Sequence, residues 1–542
     1  MADEPTAFLD RSLLERLPPA HLRPQKTYAL PELRMPARLN AASALVAEPV
    51  PGKAAAPACA GPGIGWSFAE LESITGRLAE ILRRDYLLAP GNRVLLRGAN
   101  SPMLLASILA VLRAGGVAVP TVPLLQPREL AQAAALTAPR LMICESSLTE
   151  AVRGLVETPS SRMSLCTFGG KEGELERRLA QTEAAAPPVP TAREDPALIL
   201  FSSGSTGRPK AAVHTHGDIL AVARSFGRHI FRAVPGDVVV GTPSLAFAYG
   251  FGLMLICPLA AGAAVRLDPE RGSEALAATL ATGEASILVT APTAYRKLLA
   301  RSEPLQTGPL RRCFSAGEPL PPAVVEAWRS RTGLEIVDVL GSTEMLGPYV
   351  ASCEEARRAG FLGKAVPGYE LELFGRSGAG PAATESGRLA VRGPTGCCYL
   401  DAEDQRRTMR DGWMLTGDIC RIDRNGSVAF VGRADDIVVS AGYNISVAEV
   451  ESVLCSHPGV GECAVTAIPD AERGRALVAL VVPEDPACAG EGLAAALIEH
   501  VKRSLAAFKA PRRVVFVESL PKTPSGKLRR AGLASIVEQQ IE

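Results

Sequence analysis

Residues Ser202 to Lys210, SSGSTGRPK, crowd hydroxyls, two glycines and one ammonium into a short loop after an apolar run. Gly204 and Gly207 let the backbone approach an anion closely, while Ser202, Ser203, Ser205, Thr206 and Lys210 can solvate phosphate oxygens. The nucleotide-binding pattern G-x-x-x-x-G-K-[ST] does not fit, because the glycines stand too close together and Pro209 precedes the lysine. Five further segments follow: SAGEPL (Ser315–Leu320), VLGSTEM (Val339–Met345), GWMLTGD (Gly412–Asp418), VGRADD (Val431–Asp436) and PKTPSGKLRR (Pro521–Arg530). Alone, Asp418 reads as a turn aspartate and Lys527 as a surface lysine. In this order and at these separations the six segments are not a coincidence.

The elements that must position these segments alternate. Leu71 to Arg83 has helical spacing, with Leu71, Ile74, Leu78 and Ile81 on one face. Arg93–Leu96 reads as a strand, Met103–Arg113 as a helix stopped by Gly115 and Gly116, then Val117–Val119 and Leu141–Cys144 as strands. After a Pro- and Ala-rich connection over 181–195, five apolar runs predict strands: Ala197–Phe201, Val238–Gly241, Ser286–Thr290, Arg312–Ser315 and Glu335–Leu340. Each ends in a Gly-, Ser-, Thr- or Pro-rich loop, and ligands bind at the carboxyl ends of parallel strands. The fold class expected is α/β: a large, multi-layer N-terminal domain with mainly parallel sheets. Beyond about Gly363 the strands shorten, and the last hundred or so residues read as a small α+β unit starting near Gly432.

The chain has 542 residues, more than one core can serve, and a net charge of +1. No basic field points to nucleic acid. The start, MADEPTAFLDRSLLERLPP, lacks the apolar run of a signal peptide. Val238–Val265 is uncharged, but Gly241, Pro243, Gly250, Gly252, Pro258 and Gly262 break it into a strand, a loop and a short helix, so no membrane span is expected. Twelve scattered cysteines without a C-x-x-C pair, Cys397 and Cys398 being neighbours, read as reduced, buried thiols of a cytoplasmic protein.

With the phosphate loop, GSTE, TGD, GRADD and the terminal SGK in this order, the sequence resembles the adenylate-forming acyl- and aryl-CoA synthetases. That family also includes luciferases and the adenylation domains of peptide synthetases. The resemblance runs from about residue 65 to 535. It implies an N-terminal domain, 1–433, and a small mobile domain, 434–542, with ATP and a carboxylic acid bound between them. It implies that Ser202, Ser203, Gly204, Ser205, Thr206, Gly207 and Lys210 cradle the β- and γ-phosphates. Gly317, Glu318 and Pro319 would wall the adenine, with Asp338 and the GSTE segment opposite. Thr343 would meet the α-phosphate, Glu344 would hold Mg²⁺, and Asp418 the ribose hydroxyls with Arg433 nearby. Lys527 would bridge carboxylate and α-phosphate. Asp435 would be the hinge for the thiol step, bringing the turn Ser440-Ala441-Gly442-Tyr443-Asn444 to the pantetheine of coenzyme A. Three departures stand out: Leu340 where an aromatic residue is frequent, Ala211 where glycine is common, and Val438–Ala441 where some members carry lysines.

The acid is expected to meet Phe247, Ala248, Tyr249, Gly341, Gly347 and Pro348. The segment SLAFAYG has no acidic residue to take an α-ammonium, and FAYG and GSTEML resemble benzoate-CoA ligases. The stretches LPPAHLRP, LPELRMPARLN and SAGYNISVAEVE resemble 2-aminobenzoate (anthranilate) CoA ligases, and the small Gly347 would leave room for an ortho amino group. The expected substrates are therefore ATP, CoA and an aromatic acid, 2-aminobenzoate favoured over benzoate. A carrier-protein thiol is the alternative acceptor, and a homodimer is conceivable.

Overall fold

The computed structural model describes residues 6–47, 52–156, 163–170, 173–203, 209–270, 272–302, 305, 307–352, 360–375, 386–434, 437–440, 443–470, 474–505, 507–523 and 528–541. It divides into two compact units. Met1–Gly204, Pro209–Leu371 and Val391–Leu415 form the first, and Glu372–Ala390 with Thr416–Glu542 the second. Residues 416–433 thus cluster with the C-terminal segment, ahead of the limit expected at 433.

The first unit holds two mixed sheets. In one, Ser164–Phe168, Leu141–Glu145, Arg93–Arg97, Val117–Thr121 and Pro196–Ser203 run parallel, and Pro209–Thr215 and Cys398–Tyr399 add antiparallel strands. In the other, Pro57–Gly61, Ala264–Arg266, Val238–Gly241, Ile287–Thr290, Arg312–Ser315 and Ile336–Ser342 are parallel neighbours, followed by the antiparallel Gly347–Ala351. The expected parallel alternation is therefore present. The strand Pro57–Gly61 carries little apolar pattern of its own, and its partner lies about two hundred residues away in sequence.

The helices follow the apolar periodicity. Phe68–Asp85 starts at a Ser67–Glu70 capping box and buries Leu71, Ile74, Leu78 and Ile81. Pro102–Arg113 is capped by Ser101, carries Pro102 at its first position and is buried throughout. The uncharged stretch forms the strand Val238–Gly241 and then a helical run from Ala248 to Ala261 that includes a π-helical segment, Gly252–Ile256. Among the described residues no helix is long and apolar enough to cross a membrane.

In the second unit, residues from Asp418 to Ile422 pair antiparallel with Val428–Arg433. A hairpin of Ile437–Ser440 and Tyr443–Ser446 leads into the helix Val447–Leu454, capped by Ser446. Val460–Asp470, Gly474–Pro483 and Arg513–Phe516 make a three-stranded sheet. One face packs Leu477, Val481, Leu497 and Val501, the other Val478, Leu480, Leu533 and Val537, as strand alternation requires. Cys455 and Cys488 in this unit are exposed, against the expectation that the thiols are buried; Cys397 is buried as expected.

Candidate functional site

Ser202 pairs directly with Lys210, and Ser203 with Pro209, so the phosphate-loop sequence closes a hairpin between two antiparallel strands. Gly204, Ser205, Thr206 and Gly207 lie outside the described residues. Lys210 Nζ stands 2.8 Å from Asp404 Oδ1, and 5.9 Å from the Tyr399 ring centroid.

The GSTE segment is also a hairpin connection. Ile336–Ser342 and Gly347–Ala351 pair antiparallel, and Thr343–Met345 forms the one-turn 3-10 helix between them. The turn is held by its carbonyls. Thr343 O receives His214 Nε2 at 2.8 Å, Glu344 O receives Cys397 N at 2.8 Å, and Met345 O receives Thr395 Oγ1 at 2.8 Å. The Glu344 carboxylate accepts the Tyr399 hydroxyl. Burial, and then the Glu344 charge, push the Tyr399 phenol up, so it stays a donor.

The adenine-site candidates lie at the carboxyl ends of neighbouring parallel strands. Ser315 registers with Asp338, and Gly317, with φ of 90°, turns the chain just beyond. Glu318 Oε2 accepts Thr293 Oγ1 at 2.7 Å, and Pro319 follows it in this loop. Asp338 N donates to Ser352 Oγ at 2.9 Å. Water reaches Asp338, yet the surrounding protein is dense enough that burial pushes its carboxyl up to about 7.

The acid-site candidates converge on the same strand ends. Tyr249 donates its hydroxyl to Thr290 O at 3.1 Å, and burial, then the Asp338 charge, push its phenol up. Phe247 precedes the helix Ala248–Phe251 as its N-terminal cap residue. Gly341 and Pro348 are register partners, and a Cβ at Gly341 would stand 2.7 Å from Gly347 O, which excludes any side chain. Gly347 differs. Its Cβ would meet Val222 Cγ1 at 3.4 Å and Cγ2 at 3.5 Å, ordinary contact, and the left-handed residue of the turn is Leu346, with φ of 60°. The space beside Gly347 is thus one methyl deep, closed by Val222.

In the second unit Asp418 and Arg433 are register partners, with Nη1 2.8 Å from Oδ1. Asp418 is buried and its amide donates to Thr416 Oγ1 at 3.1 Å. Ser440 donates to Arg475 O at 2.6 Å. Tyr443 pairs with Ser440 at the hairpin end. Lys527, Asp435, Ala441 and Gly442 lie outside the described residues.

Sequence reasoning missed Tyr399, Asp404, His214 and the pair Lys26–Asp218, which is 2.8 Å apart and ties the N-terminal segment to the helix His216–Val222. One signal for His214 was available: Lys210, Ala212 and His214 alternate along one strand, so they share a face. Nothing local marks Tyr399.

Among the described residues no group of three or more His, Cys, Asp or Glu could hold a metal ion. Glu344 offers a carboxylate on Tyr399, whose ring also meets the phosphate-loop lysine, and this suits Mg²⁺: the ion binds through one or two carboxylates plus substrate phosphates rather than an all-protein cage.

Residues 46–398 match the AMP-binding enzyme family, and residues 449–527 match the AMP-binding enzyme C-terminal domain. The chain is 33% identical to a benzoate–CoA ligase of Thauera aromatica, over 93% of this chain and 97% of that protein. A 3-hydroxybenzoate–CoA ligase of Aromatoleum is 29% identical over 92% of this chain and 97% of its own length. Among solved structures, the anthranilate CoA ligase AuaEII in complex with anthranoyl-AMP superposes with a TM-score of 0.87 at 29% identity, covering 94% of this chain and 100% of that one. A benzoate CoA ligase from Burkholderia xenovorans LB400 gives 0.84 at 32% identity, covering 92% and 100%. The chain belongs to the AMP-binding enzyme family and is an ATP-dependent, AMP-forming acid–thiol ligase of the aryl-CoA synthetase branch.

Proposed function

We propose that this enzyme joins 2-aminobenzoate to the AMP of ATP and passes the acyl group to coenzyme A. The observation that carries the choice of acid is the likeness to the anthranilate ligase structure, together with the small recess at Gly347. Benzoate and other small substituted benzoates are the next candidates.

In this reading two anions must meet, the carboxylate of the acid and the polyphosphate. Lys210 and the loop hydroxyls hold the β- and γ-phosphates. Lys527 bridges carboxylate and α-phosphate, offsetting their repulsion and holding them in line. Asp338 and Glu318 border the adenine, and Asp418, fixed by Arg433, accepts the ribose hydroxyls. Glu344 and Thr343 sit at the phosphates, where bound Mg²⁺ supplies charge neutralisation. Tyr249, anchored on Thr290 O, and Gly341 flank the ring of the acid. Pyrophosphate leaves and the acyl-adenylate stays shielded from water. The domain from 434 to 542 then reorients at Asp435, and the turn from Ser440 to Asn444 guides the pantetheine thiol.

The test is pyrophosphate release over a panel of benzoates with ATP, Mg²⁺ and free CoA, with mass spectrometry of the product. The expected result is the highest kcat/KM for 2-aminobenzoate and formation of its CoA thioester. A higher value for benzoate reverses the choice of acid, and adenylate without thioester points to a carrier-protein thiol.

A further inference from the structure

The site must keep two opposite charges available to different parts of one ligand: Lys210 for phosphate, Glu344 for the cation. The stretch from Thr395 to Gln405 contacts both side chains. Tyr399 registers with Ala212, between Lys210 and His214 on the shared face of the strand Pro209–Thr215. It is 1% exposed, its hydroxyl is given to Glu344 Oε1, and its ring underlies the Lys210 ammonium at 5.9 Å. Asp404, in the first turn of the helix Ala402–Thr408, takes that ammonium at 2.8 Å. Gln405, fully buried in the same helix, accepts the Tyr399 amide at 2.7 Å, and Cys397 N fixes the Glu344 carbonyl.

We propose that Tyr399 and Asp404 are positioning residues, the phenol orienting the Glu344 carboxylate through one oxygen and the Asp404 carboxylate orienting the Lys210 ammonium. The proposal rests on the reading of Lys210 and Glu344 as phosphate and cation contacts. The two residues act through different charges, so they leave different signatures. Tyr399 acts on the cation side, and its effect requires Mg²⁺. Asp404 acts on the lysine, and its effect does not.

The experiment is a calorimetric titration of the full-length protein with ATP, without acid, in Mg²⁺ and in EDTA, alongside melting curves. Y399F keeps the ring and removes only the hydroxyl. It should weaken binding about tenfold in Mg²⁺, as loss of a group that orients a metal ligand does, and leave binding in EDTA unchanged. E344Q should show the same Mg²⁺-specific loss, and Y399F added to E344Q should cost nothing more. D404N should weaken ATP about equally in both conditions. Equal effects of Y399F with and without Mg²⁺, or none, overturn the role of Tyr399 provided E344Q shows its loss. If E344Q keeps the full Mg²⁺ response, the assignment of Glu344 fails first and takes the proposal with it. A D404N protein that binds ATP as tightly as wild type or tighter overturns the role of Asp404.

Discussion

His214 donates through Nε2 to the carbonyl oxygen of Thr343, 2.8 Å away, from a fully buried position. Burial pushes its pKa below the ordinary histidine range, so the ring is neutral and the donor proton sits on Nε2. His216, two residues on, is pushed down to about 3 by the same cause. In the folded chain His216 stays unprotonated down to about 3 and His214 takes up a proton less readily than in the unfolded chain, which protonates below about 6.5. Stability is therefore complete above that pH and falls as the solution is acidified, by up to about 1.4 kcal/mol per pH unit for each proton that only the unfolded chain binds. Urea midpoints at pH 7.5 and 5.5 should separate accordingly, and H214N should make the slope shallower. It should also lower the rate of adenylation, since the Thr343 carbonyl loses its donor. An unchanged slope contradicts the neutral ring.

Asp338 has the opposite pH signature. Its carboxyl is pushed from 3.8 up to about 7, so the folded protein keeps a proton that the unfolded chain has released. The cost appears as the pH rises between those values and is constant above them. It amounts to at most about 4 kcal/mol, and less because water reaches the group. D338N should therefore gain stability over wild type at pH 8 but not at pH 4. A pH-independent difference between the two melting temperatures refutes the shift.

Gly347→Ala tests the choice of acid. The added methyl reaches Val222 at ordinary contact distance and the backbone is not left-handed, so the fold should tolerate it with a melting point near wild type. If the recess takes an ortho amino group, kcat/KM for 2-aminobenzoate should fall relative to benzoate by ~1–3 kcal/mol. A constant ratio removes Gly347 from the acid site.

Lys527→Ala should separate the half-reactions. Acid-dependent AMP formation should fall by ~3–4 kcal/mol in the barrier, as for other preorganised charges. Thioester formation from synthetic acyl-adenylate and CoA should persist. Equal loss of both steps means that Lys527 serves the whole cycle.

Much of the frame was legible in local pattern. Val238–Gly241 and Arg312–Ser315 appear with the expected limits, and the helix expected at Leu71–Arg83 extends by three residues before it and two after it. Their periodicity or apolar run is contained within each element. Tyr399, Asp404 and Lys26 were invisible because their partners lie far along the chain: Glu344 is 55 residues from Tyr399. The helix His216–Val222 and its π-helical continuation Ala223–Phe231 were equally hidden. Gly347 illustrates the reverse case. Its small size is plain in sequence, but that Val222 bounds the recess, and that Leu346 takes the left-handed turn, only the folded backbone reveals.

The hairpin Ile336–Ala351 places Glu344 at its tip and Gly347 and Pro348 on its returning strand. On the proposed reading, three positions separate the apparatus shared by every substrate from the part that chooses among them. On that reading substrate preference can drift by exchange on the returning strand while the tip, pinned through three carbonyls from outside the hairpin, keeps its shape. For the engineer this is a cassette: libraries at 347 and 348 should alter which acid is accepted while leaving pyrophosphate formation intact, whereas a one-residue insertion before Gly347 would slip the register and disable both.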